Sequence, residues 1–206
     1  NANDVTLTSG SGDDVVTAGA NFDGDDTFDG GDGEDTFITS IAGIGATDTE
    51  FDGVSNFETV RLTSAGTFSA TPLSGFDTIE FAGNNTDTLD LDDVGADATV
   101  VLSDRNLDLA GGEALGAGHT VTLDDASGSD DTVNLTLNRT DADDDASTFD
   151  AGDVTANGVE TLNVTSSGED ATDSDTTSVT AEVGGDAATA VNISGDNELD
   201  LTISDV

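Results

Sequence analysis

The sequence predicts an all-β protein of short strands coiled into an irregular solenoid, and three observations carry that prediction. Apolar residues recur at every second position in short runs such as Val60-Arg61-Leu62, Ile79-Glu80-Phe81, Val133-Asn134-Leu135-Thr136-Leu137 and Leu199-Asp200-Leu201-Thr202-Ile203. That alternation belongs to strands with one buried face. Glycine, aspartate, asparagine and serine clusters bound most of these runs, and a 3.6-residue stripe occurs only over residues 110–115. The third observation is a repeated unit of acid, threonine (valine once) and apolar residue. It occurs as Asp14-Val15-Val16, Asp26-Thr27-Phe28, Asp35-Thr36-Phe37, Glu58-Thr59-Val60, Asp77-Thr78-Ile79, Asp87-Thr88-Leu89, Asp131-Thr132-Val133 and Glu160-Thr161-Leu162. In each unit the acid closes a turn, the threonine faces outward and the apolar residue enters the core. Irregular gaps between units point to a solenoid with variable loops, with a β-sandwich of Greek-key crossings as the alternative.

The turns carry a denser signal. Gly30-Gly31-Asp32-Gly33-Glu34-Asp35-Thr36-Phe37-Ile38 is a full match to the calcium-binding nonapeptide pattern G-G-x-G-x-D-x-U-x. Closely spaced glycines permit positive φ and expose backbone carbonyls, and Asp35 adds a carboxylate before Phe37 turns into the core. Two partial copies precede it. Residues 9–17 place Gly10, Gly12, Asp14 and Val16 in the corresponding positions, and residues 21–29 place Gly24, Asp26 and Phe28. Residues 18–20 read as an insertion between those two copies. The bland alternative is an acidic, glycine-rich surface loop, but copies held in phase are not expected of composition alone.

Residues 9–38 resemble the repeats-in-toxin (RTX) calcium-binding segment of secreted bacterial proteins. The resemblance implies a parallel β-roll in which two nonapeptides make one coil and calcium lies between stacked turns on the same side. It implies that the turn at residues 12–14 stacks on the turn at 33–35, with the turn at 24–26 opposite. The implied ligand set is Gly12, Asp14, Gly24, Asp26, Gly30, Asp32, Gly33 and Asp35. Three longer segments, at residues 56–62, 75–81 and 158–164, resemble strand repeats of bacterial surface-layer proteins that also carry RTX segments. Residues 1–40 thus read as a calcium-binding β-roll segment, and residues 41–206 as a solenoid or sandwich assembly region continuous with it.

Composition bears on the same expectation. The 206 residues include 45 acids, three arginines, no lysine and one histidine, for a formal net charge of -42. Leu, Ile, Val and Phe number 47, about 23%, only just above the level at which a highly charged chain is expected to be disordered. Self-repulsion opposes compaction, so folding is expected to depend on cations, and hard divalent ions favour carboxylate and carbonyl oxygen. Adaptation to concentrated salt would also favour such acidity. Nucleic acid is excluded as a partner for want of phosphate-neutralising groups. The chain has no cysteine and no apolar run of the length a bilayer-spanning helix requires. It begins at Asn1 without methionine, which reads as a mature, processed or excised form.

Further acids offer candidate ligands. Asp141-Ala142-Asp143-Asp144-Asp145 imitates the opening of an EF-hand loop, but Ala146 and Gly152 stand where that loop needs glycine and glutamate. Asp143 and Asp145 remain candidates for a loop-type calcium site, as does Asp131, against the bland reading of solvated acidic loops. His119 is expected at the surface or in a turn, since one histidine without cysteine makes no zinc cluster. Arg61, Arg105 and Arg139 are expected to pair with acids of the same molecule or to dock acidic neighbours. No G-x-S-x-G element is present, so enzyme activity is not expected. Sequons begin at Asn84, Asn134, Asn138, Asn163 and Asn192, and threonine richness accounts for several of them. Strand-like segments near both ends offer edges for pairing. The expectation is an extracellular, calcium-stabilised structural protein that self-assembles into a bacterial surface layer or filament, with cell-surface polysaccharide as a further partner. The rival is an adhesin or carrier segment of a larger type I secreted protein.

Overall fold

The computed structural model describes residues 4–19, 22–84, 87–103, 113–116, 118–139, 149–168, 178–196 and 198–204. Its strands follow one another as β1 (Thr6–Ser11), β2 (Val15–Ala18), β3 (Thr27–Asp32), β4 (Thr36–Thr39), β5 (Val54–Ser55), β6 (Thr59–Leu62), β7 (Gly66–Ser69), β8 (Thr78–Phe81) and β9 (Leu89–Val94). They continue as β10 (Thr99–Ser103), β11 (Glu113–Ala114), β12 (His119–Leu123), β13 (Thr132–Arg139), β14 (Phe149–Asn157), β15 (Thr161–Gly168), β16 (Ser178–Gly184), β17 (Ala190–Gly195) and β18 (Glu198–Ser204). A 3-10 turn over Thr71–Leu73 joins β7 to β8. The expected helical stripe is not formed in its described part, where Glu113–Ala114 is a short strand beside β14.

Every strand pairing among the described residues is parallel, and successive strands alternate between two walls except β11 and β12, which both pair with β14. One wall is a single eight-stranded sheet in the order β17-β15-β13-β10-β8-β6-β4-β2. The other is divided into β1-β3-β5 and β18-β16-β14-β12-β9-β7. This is the all-β parallel roll and solenoid arrangement, and Greek-key sandwich pairing is absent among the described strands. The stacked turns at 12–14 and 33–35 lie on one edge, as the repeats-in-toxin resemblance implies, with Gly10 opposite Gly31 and Ser11 opposite Asp32 in the β1–β3 ladder.

Coil length is uneven. Ladder neighbours are separated by 21 residues at Asp14 and Asp35, by 19 at Arg61 and Glu80, and by 35 at Ser103 and Asn138. Extra residues leave at the turns because a loop perturbs neither the inward column nor the ladder hydrogen bonds. The alternation read from sequence then places side chains. Phe37, Val60, Ile79, Val100, Leu135 and Val164 form one buried inward column, and Leu62, Phe81, Leu102 and Leu137 a second. Phe22, Phe28, Phe37, Phe51, Phe57 and Phe76 form one cluster of rings in the amino-terminal coils. Phe37 touches Phe22, Phe28, Phe51 and Phe57 at centroid distances of 5.1 to 6.0 Å, mostly edge to face.

On the outer side of the eight-stranded wall, one column runs Val15, Thr36, Thr59, Thr78, Thr99, Asn134, Asn163, Asn192. Its neighbour runs Thr17, Ile38, Arg61, Glu80, Val101, Thr136, Thr165, Ser194. The Asn163 amide donates to Asn134 Oδ1 and the Asn192 amide to Asn163 Oδ1, both at 2.9 Å, so these sequon asparagines form a side-chain ladder.

His119 corrects the sequence expectation of a surface or turn position. It is fully buried at the start of β12, its Nδ1 accepts the Leu89 N–H at 2.9 Å, and its ring packs edge-on to Phe81. An apolar inward slot, rather than a turn, selects it.

Candidate metal centre

The glycine turns stack through backbone and carboxylate together. Gly10, Gly12, Gly31 and Gly33 all have positive φ, at 130°, 110°, 97° and 152°, conformations open mainly to glycine. A side chain at Gly31 would overlap the Gly10 carbonyl, and one at Gly33 would lie 2.5 Å from the Gly12 carbonyl oxygen. The glycines thus serve two ends, the turn itself and close approach of the next coil. Between the two turns the Gly12 N–H donates to Asp32 O at 2.8 Å, and the Glu34 N–H to Asp13 Oδ1 at 3.1 Å.

Asp35 is the centre of this edge. It is fully buried, its Oδ1 accepts the Asp14 N–H at 2.7 Å, and its own N–H donates to Glu58 Oε2 at 2.6 Å. Asp35, Glu58 and, farther along, Glu160 thus each close onto the backbone of the preceding coil. The other Asp35 oxygen, Oδ2, is buried without a hydrogen-bond partner. It faces Gly30, where a Cβ would lie 2.6 Å from Oδ2 and would overlap the carbonyl oxygen of Asn56.

That carbonyl belongs to a third stacked turn that the nonapeptide pattern does not reveal. Residues 53–61 read Gly-Val-Ser-Asn-Phe-Glu-Thr-Val-Arg, with Asn56 at φ 55° in the place of Gly33 and Glu58 in the place of Asp35. Asparagine tolerates this left-handed conformation better than most residues. The available signal was the in-phase Glu58-Thr59-Val60 unit preceded by an asparagine. The residue before the acid also changes character between turns. Asp13 and Glu34 are exposed, whereas Phe57 and Val159 are buried and Phe76 packs against the core. The turns at Asp13 and Glu34 face water, whereas those at Phe57, Phe76 and Val159 close over the apolar interior.

The remaining candidate ligands separate. Asp26 lies on the opposite edge and is buried, with Oδ1 accepting the Val5 N–H at 2.8 Å and Oδ2 the Asp23 N–H at 3.2 Å. Gly24 and Asp32 are exposed, and a side chain at Gly24 would overlap the Thr49 carbonyl. Asp131 lies several coils away, where its N–H donates to Glu160 Oε2 at 3.0 Å and its Oδ2 is buried without a hydrogen-bond partner beside Gly128. Asp143 and Asp145 lie outside the described residues, as do Arg105 and the rest of the 140–148 segment. Arg61 pairs with Glu80 at 2.7 Å, and Arg139 is buried.

Among the described residues, no three His, Cys, Asp or Glu side chains gather round one point. A cation here would have to draw on backbone carbonyls as well as carboxylates. The Asp35 position meets that condition, since an unsatisfied buried carboxylate oxygen and a carbonyl oxygen face the same glycine, and both are hard donors suited to calcium. Comparison with known protein families, curated proteins and solved structures finds no match to this chain. No helix among the described residues is long and apolar enough to cross a membrane.

Proposed function

We propose that this chain is a calcium-stabilised structural protein of the bacterial cell exterior that assembles into a surface layer or filament. The observation that carries the reading is Asp35 Oδ2, a fully buried carboxylate oxygen without a hydrogen-bond partner, set against glycine turns and the Asn56 carbonyl. Leaving such an oxygen dry and unpaired is costly. A calcium ion, when bound, supplies the compensating positive charge. Asp35 would hold it, with carbonyls of the neighbouring turns and the exposed acids of residues 12–14 and 32–34 at the rim. Asp14 and Glu58 keep the stack in register through the strand-entry amides. The charge of -42 supports the same reading, because ion binding relieves the repulsion that opposes folding.

Titration with calcium, followed by circular dichroism and light scattering, tests the two parts separately. Calcium should raise β content and, at higher protein concentration, produce reversible assembly, with sodium at matched ionic strength producing neither. Asp35→Asn should weaken the calcium dependence of folding about tenfold or more, whereas Asp32→Asn at the exposed rim should move it less. A fold that persists in excess chelator at low salt, with identical behaviour of the Asp35 variant, rules out the calcium reading. A folded, calcium-loaded monomer at every concentration leaves the secreted-carrier alternative.

A further inference from the structure

The acids are not spread evenly over the two walls. The eight strands of the continuous wall carry one acid, Glu80, and its charge is matched by Arg61 on the adjacent rung at 2.7 Å. The opposite wall presents Asp90, Asp92, Asp153, Glu182 and Asp200, with Asp153 directly beside Glu182 in the ladder. In a chain of 45 acids, the outer side of the continuous wall is therefore a flat field of threonine hydroxyls, asparagine amides and a few aliphatic groups with no net charge.

We propose that this neutral outer face is where a second copy of the chain docks, wall against wall, as the lateral contact of the assembly; the inference rests on the self-assembly reading above. Two copies at -42 repel through almost any other surface, and exposed carboxylates brought together would lose water without gaining a partner. Face to face, the carboxylates of each copy stay at the turns or on the far wall, where salt of physiological strength screens them beyond about 8 Å. Seven rung spacings of about 4.8 Å and a width of about five residues give a patch of about 34 by 15 Å, or about 500 Å² per copy. The total of about 1,000 Å² is the size at which specific but weak contacts begin. Ladder hydrogen bonds already order the asparagines, so little side-chain freedom is lost on docking.

The test uses the full chain folded in calcium and sedimentation velocity. Thr78→Asp with Thr136→Asp places two carboxylates on the neutral face, and Thr122→Asp with Thr155→Asp adds the same charge to the opposite wall. The first pair should weaken self-association at least tenfold with calcium-linked folding unchanged, and the second should leave it near the parent value. Because the chain lacks cysteine, Thr99→Cys gives an independent reading that does not depend on tolerance of buried charge. Oxidation should join two copies through Thr99→Cys and not through Thr155→Cys. Association of the parent with equal association of the face variant and no Thr99→Cys cross-link overturns the docking face while leaving assembly intact. A discrete dimer that stops growing supports the face and refutes the surface layer. A parent that stays monomeric, yet is retained on a neutral polysaccharide column unless Thr78 and Thr136 are replaced, overturns the second copy in favour of a glycan.

Discussion

His119 provides a pH signature that can be worked from the structure. Its Nδ1 accepts the Leu89 N–H, so the buried ring is neutral and carries its proton on Nε2. Burial away from water lowers its pKa from 6.5 to about 4, against the smaller raising effect of the Gly116 and Ala151 backbone. The folded value lies below the unfolded one for a base, so the unfolded chain takes up a proton first as pH falls. The stabilisation is fully present above pH 6.5 and is lost progressively down to about pH 4. The whole shift corresponds to about 3 kcal/mol, of which about 2 kcal/mol is lost between pH 7 and pH 5. His119→Asn removes the titration while its Oδ1 can still accept the Leu89 N–H, at a pH-independent cost for lost packing of about 1–3 kcal/mol. Urea unfolding of parent and variant in saturating calcium should therefore give a stability difference that narrows by about 2 kcal/mol from pH 7 to pH 5. Effects of the 45 acids common to both proteins cancel in that difference. Parallel stability curves across this range would refute the buried neutral histidine.

Other expectations follow from packing and pairing. Phe37→Ala removes the ring that meets four other phenylalanines at full burial, and should cost about 3–5 kcal/mol in chemical denaturation; a loss below about 1 kcal/mol would contradict the packed aromatic centre. Arg61→Gln leaves the buried Glu80 carboxylate without its ion pair. Because the arginine side chain is 36% exposed, the expected loss is about 1–2 kcal/mol rather than the full value of a buried pair. Adding Glu80→Gln should recover most of it, and a double-mutant cycle with no coupling would show that the pair is incidental.

The sequence by itself determined the features that depend on neighbouring residues. Alternation at Val133 to Leu137 specified which side chains enter the core, because successive strand residues point to opposite faces. The glycines at 10, 12, 31 and 33 specified the turns, because few other residues adopt those φ values cheaply. The stacking of residues 12–14 on 33–35 was what the repeats-in-toxin resemblance implied, and the β1–β3 ladder bears it out. Only the tertiary structure decided which loops could be absorbed between ladder partners 19 to 36 residues apart, since parallel pairing constrains the strands and leaves the turns free to lengthen. That freedom hid the turn at Asn56, which joins the stack on φ rather than on residue identity. It also concealed the split use of the Asp35 carboxylate, one oxygen on the Asp14 amide and the other on none. His119 followed the same logic, since polarity suggested a surface and the ladder register placed it inside. The neutral wall was invisible for a related reason. Acids are everywhere in the sequence, and only the register of eight strands shows that almost none of them belongs to that sheet.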